Sequence, residues 1–112
     1  MGTLARKSEI TPEPTHVTVT EDTLSVDLAD GRTIAVPLGW YPRLKHGTPE
    51  EWARYELSPM GVHWPDLDED ISVEGLLKGE QSGESQASLK RWLEHRARGE
   101  KPWLEDGYKM GD

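Results

Sequence analysis

The chain has 112 residues, with 13 Lys and Arg against 21 Asp and Glu for a formal charge of −8, and it contains neither Cys nor Phe. That length fits one small domain and excludes a two-domain enzyme, and the missing Cys excludes a disulfide framework and thiolate zinc sites. Leu, Ile and Val together number 21, just under the ~20% of residues below which high net charge favours disorder. Five Trp and three Tyr offset the deficit, because each aromatic buries on the order of 150–250 Å². A compact centre with loose ends is the expectation. The opening MGTLARKSEI lacks the apolar stretch of a signal peptide, and the longest apolar run is far too short to span a bilayer, so a cytoplasmic protein without membrane contact is expected.

Thr11 to Pro14 closes an extended lead-in over residues 1–14. A domain is expected over 15–79. Val17 and Val19, then Leu24, Val26 and Leu28, then Ile34 and Val36 alternate with polar or small residues, predicting three half-buried strands. Apolar parity changes between the first two strands, so a two-residue turn at Glu21-Asp22 must set Val19 opposite Leu24 and Val17 opposite Val26. Parity is kept between the second and third, which requires a three-residue loop, Ala29-Asp30-Gly31, with Gly31 left-handed. Pro37 ends the ladder because it has no donor. Trp40, Tyr41 and Leu44 are read as a short turn of helix over the sheet.

Thr48-Pro49-Glu50-Glu51 carries a capping box, a proline at the first helical position and acids near the positive helix end. Trp52 and Tyr55 would face inward. Val62 to Trp64 can add a fourth strand to the meander. Ser72 then caps a short helix with Val73, Leu76 and Leu77 as its apolar face and Gly79 as its stop. Residues 80–87, rich in glycine, serine and glutamine, read as a linker to an amphipathic helix over 88–98, with residues 99–112 as a disordered tail. The fold class is therefore α+β: an antiparallel meander of three to four strands with short helices on one face and a C-terminal helix.

The acidic charge is uneven. Residues 15–79 hold 12 acidic and 5 basic side chains, whereas residues 80–98 hold 3 acidic and 4 basic. An acidic field repels phosphate backbones, so no nucleic-acid partner is expected unless Lys90, Arg91, Arg96 and Arg98 form a local patch. Asp66-Leu67-Asp68-Glu69-Asp70 has the alternating acids of a calcium loop, but Ile71 and Leu77 stand where the glycine and final glutamate belong, which rejects an EF-hand. His63 has acids nearby but no second His to complete a metal site. His16, His46 and His95 are scattered. Without a phosphate loop, nucleophile elbow or paired zinc ligands, no enzymatic activity, cofactor or metal is expected. Trp40, Trp52 and Trp64 are read as core. The Leu89, Trp92 and Leu93 face either docks on its own domain or waits for a partner.

LADGRTIAVPL (Leu28 to Leu38), WYPRL (Trp40 to Leu44), TPEEW (Thr48 to Trp52) and GVHWPDLDEDISVEGLL (Gly61 to Leu77) resemble the bacterial family called domain of unknown function 2442. The resemblance covers roughly residues 15 to 79. It implies a small α+β fold with a curved antiparallel sheet, and an activity that is not established. Members are often encoded beside a second small family, domain of unknown function 4160, in what looks like a toxin and antitoxin pair. Some carry a helix-turn-helix after the domain, whereas one C-terminal helix follows it here. The expected function is protein binding, antitoxin-like, through Leu89, Trp92 and Leu93 and an acidic rim of Asp66, Asp68 and Glu69. The alternative is a DNA-binding regulator using the basic face of the last helix.

Overall fold

The computed structural model describes residues 11–105. Strands β1 (Pro14–Val19), β2 (Thr23–Leu28) and β3 (Thr33–Pro37) form an antiparallel meander in that order. Val17 stands opposite Val26 and Val19 opposite Leu24, while Val26 faces Ile34 and Leu24 faces Val36. This is the register that apolar parity and loop length require. Gly31 has φ 97°, the left-handed backbone that the three-residue loop needs. Leu24, Val26, Leu28 and, on the edge strand β3, Val36 are buried, but Ile34 is only half-buried.

A turn of 3-10 helix at Leu38–Trp40 leads into α1 (Pro42–Lys45), laying Leu38, Tyr41 and Leu44 in the core. Helix α2 (Pro49–Ala53) begins with the expected capping box: the Thr48 hydroxyl accepts from the Glu51 N–H and the Glu51 carboxylate from the Thr48 N–H.

Beyond α2 the architecture departs from a single meander. Val62 to Trp64 does form a strand, but β5 (Gly61–Trp64) is the centre of a second antiparallel sheet between β4 (Glu56–Ser58) and β6 (Glu69–Ser72). It is not added to the first sheet, which stays three-stranded. The hydroxyl of Tyr55 accepts from the Val17 N–H on the outer side of β1, and β3 is closed by Pro37. Helix α3 (Val73–Lys78) is capped by Ser72, whose hydroxyl accepts from Gly75 N–H, and is ended by left-handed Gly79. Val73 and Leu76 are buried, but Leu77 is 41% exposed and leaves the expected apolar face.

The stretch expected to be a linker is pinned to the body. Glu80 N–H donates to Gly75 C=O, Ser82 N–H to Trp40 C=O, and the Tyr41 hydroxyl to Glu80 C=O at 2.8 Å. Helix α4 (Gln86–Ala97) therefore starts two residues before the expected position and is held against the domain. Trp92 is fully buried, and Leu89 and Leu93 are half-buried against the same core. A 3-10 turn at Pro102–Leu104 stacks Trp103 on Trp92 with ring centres 6.0 Å apart. Trp103 packs on the core and Lys101 pairs with Glu51 and Asp66 within the stretch read as a tail; residues 106–112 and 1–10 lie outside the described residues. Both sheets, α1, α3 and α4 close one core around Leu24, Val26, Leu44, Trp64, Leu67 and Trp92. Among the described residues no helix is long and apolar enough to cross a membrane.

Candidate functional site

Most of the six residues expected to meet a partner are buried or half-buried and turn inward. Asp68 adopts φ 53°, a left-handed conformation that Asp tolerates. Its carbonyl and carboxylate then receive Arg43 at 2.9 and 3.1 Å. The other side of the Arg43 guanidinium grips both oxygens of Glu84, at 2.9 and 3.0 Å from Nε. Asp66 takes Arg54 at 2.7 Å on one oxygen and Lys101 at 3.1 Å on the other. Arg54, followed by Lys101, holds the Asp66 carboxyl below the ordinary range. Two guanidiniums lie against the Trp92 ring, Arg43 at 5.3 Å and Arg96 at 5.0 Å from its centre. The exposed aromatic anchor expected there is instead the plug of the core. Leu89, Leu93, Asp66 and Asp68 are likewise engaged within the chain.

The basic face of α4 is also partly consumed. Arg96 donates to both carboxylate oxygens of buried Glu51, at 3.0 and 2.8 Å, and Lys101 adds a third contact at 3.1 Å. Burial alone would raise the Glu51 pKa, but these cations and the Thr48 N–H bring it down to about 2. Arg98 pairs with Glu100 at 3.0 Å. Of the four cations in the DNA-binding alternative, Lys90 and Arg91 remain exposed outside the ion pairs found among the described residues.

Two of the concave surfaces among the described residues bear on function. The first is a cleft of about 230 Å³ lined by Tyr41, Glu69, Asp70, Ser72, Glu80 and Ser82 among others. Glu69 is half-buried there and accepts from the Asp70 N–H at 2.9 Å. Burial, against the pull of that N–H and of Arg43, raises its pKa to about 7. Burial and the charges of Glu69 and Glu80 also push the Tyr41 phenol up. A carboxyl poised near neutrality could pass a proton. Tyr41 already donates its proton to the Glu80 carbonyl, and no group of three metal-binding side chains occurs among the described residues. Beside the cleft, His63 Nδ1 lies 2.8 Å from Asp70 Oδ1 across the β5–β6 pair.

The second is a groove of about 680 Å³ between β1 and α2, lined by His16 to Glu21 on one side and by Pro49, Trp52, Ala53 and Tyr55 on the other. The sequence offered no signal for it beyond the alternation of β1, because its two walls lie some thirty residues apart. Glu21 lines it, and exposed Glu50 and Glu56 flank lining residues Pro49 and Tyr55. None of these three acids takes part in the ion pairs of the described residues.

Comparison with known proteins places the chain. The family model described as "Protein of unknown function (DUF2442)" matches residues 14–82, and the chain belongs to this family. No curated protein matches it. An uncharacterised protein from Chromobacterium violaceum, solved in solution by NMR, is 22% identical over 80% of this chain and 84% of the other, with a TM-score of 0.59. A crystal structure of a protein of unknown function from Rhodospirillum rubrum is 26% identical, covers 68% of this chain and 94% of its own, and has a TM-score of 0.55. These likenesses establish the α+β fold as one shared with other uncharacterised proteins.

Proposed function

We propose that this protein is a non-catalytic protein-binding domain, antitoxin-like in masking a basic partner encoded nearby, and that it works in the cytoplasm. One observation carries this reading: seven of the ten Lys and Arg among the described residues are spent internally, while many acids are not. Arg32, Arg43, Arg54, Lys78, Arg96, Arg98 and Lys101 each pair with a carboxylate of the chain. The net charge of −8 is therefore carried by exposed acids such as Glu21, Glu50 and Glu56, which attract a basic protein surface and repel phosphate. The acids that present this field are not the expected rim of Asp66 and Asp68, whose charges are neutralised in place. The DNA-binding alternative rests on Lys90 and Arg91 and has less support, since Arg96 is committed to Glu51.

Co-expression with the product of the adjacent gene tests the reading. A stable complex should form, with an on-rate that falls steeply as salt rises, because exposed charges are screened beyond ~8 Å at physiological ionic strength. The absence of a complex, or an on-rate indifferent to salt, refutes it.

A further inference from the structure

We infer that the groove between β1 and α2 is a strand-addition site for a basic, extended segment of a partner protein, an inference that rests on the protein-binding reading above. The first support is the direction of the main chain. Thr20 N–H donates to Thr23 C=O at 2.9 Å, so Thr18 and Thr20 turn their main-chain groups toward β2. Alternation then turns those of Val17 and Val19 to the outer side. The outer Val17 N–H is held by the Tyr55 hydroxyl at 3.3 Å, a long bond from a side chain that stands where a neighbouring strand would be.

The extent of this edge limits what can pair with it. Pro14 and the irregularity between Pro14 and His16 close one end, and the Glu21-Asp22 turn closes the other. A segment of about five residues, at ~3.3 Å each, fits between them. On one side of such a strand, alternate side chains would rest on Trp52, Ala53 and Pro49, which calls for apolar residues at every second position. Glu21 lines the groove at the turn end, and exposed Glu50 and Glu56 adjoin lining residues Pro49 and Tyr55, which calls for Lys or Arg. Charge also decides against a second copy of this chain as occupant: that copy would bring the same carboxylates and another −8 to the interface.

The test uses the full-length protein, labelled for residue-resolved NMR. The probe is a synthetic heptapeptide alternating valine and threonine with lysine at each end. The Val17 and Val19 amide signals should shift and gain protection from exchange. Exchanging the terminal lysines for glutamate should weaken binding at least about tenfold. Val19→Pro, which removes an outward N–H and leaves the ladder to β2 intact, should abolish binding. Glu21→Lys with Glu50→Lys, both at exposed positions, should reverse the charge preference. The inference is overturned if the lysine peptide leaves Val17 and Val19 unmoved, if Val19→Pro binds it as well as the parent does, or if those amides are buried in a concentration-dependent dimer. A co-expressed partner that binds while both amides stay unchanged defeats this inference alone. Failure of any partner to bind defeats the protein-binding reading instead.

Discussion

The guanidinium of Arg43, on the four-residue helix α1, lies 5.3 Å from the centre of the Trp92 ring on α4. Arg43 also joins the left-handed Asp68 to Glu84 in the segment before α4, so one side chain holds three stretches of chain together around a buried indole. Trp92→Ala should cost about 3–5 kcal/mol, as truncation of a large core aromatic does. Urea denaturation measures it. A loss below about 1 kcal/mol would mean that α4 is peripheral.

Glu51 gives the fold an acid limit. Its folded pKa is about 2 against an ordinary 4.5, so the unfolded chain takes up the proton first as pH falls. The stabilisation is complete above 4.5 and is lost on descending through 2. Glu51→Gln should destabilise at neutral pH by about 3 kcal/mol, near the low end for breaking a buried pair because Lys101 retains Asp66. It should also flatten the acid limb of a stability profile taken by denaturant titration. An unaltered profile would remove Glu51 from this role.

Glu69 acts in the opposite sense. Burial raises it from 4.5 to about 7, so the folded state holds the proton more tightly than the unfolded one, and stability declines as pH rises from 4.5 through 7. Glu69→Gln should raise the melting temperature by a few degrees near pH ~8 and change it little near pH ~4. Equal effects at both would show that the carboxyl is not strained.

Gly61 marks the closest approach in the second sheet. A Cβ there would lie 2.3 Å from the Ile71 carbonyl oxygen and 3.0 Å from Ser72 Cα, both main-chain atoms that cannot swing aside. Gly61→Ala should part β5 from β6 and cost about 1–3 kcal/mol or more. Gly39→Ala, with open space around it, is the matched control in the same thermal melt.

The first sheet was legible because its information is local. Alternation set the faces, parity set the loops, and Thr48 and Ser72 announced their helices within three residues. The second sheet was not. Strand β4 is three exposed residues, and β6 contains two acids, so neither shows the apolar rhythm of a strand. Docking of α4 was hidden for another reason: Arg43 meets Asp68 and Glu84 from 25 and 41 residues away, and Arg96 meets Glu51 from 45. Such pairs leave no spacing pattern. The polar composition of residues 80–87, a fair sign of a spacer in general, concealed main-chain bonds to Gly75 and Trp40 that any sequence could make. The groove beside β1 was equally silent, being a property of two walls that only folding brings together.

The position of Trp92 so late in the chain has a consequence for synthesis. Domains fold as units while they emerge from the ribosome, at ~5–20 residues per second. Both sheets of this protein are complete by Ser72, yet the indole that fills their shared interior and the arginine that neutralises Glu51 follow only at positions 92 and 96. For about 1–5 s, at that rate, each nascent molecule carries an unfilled apolar socket beside an uncompensated carboxylate. A message truncated in that interval yields a product with its central defect on display, a ready substrate for chaperones and proteases.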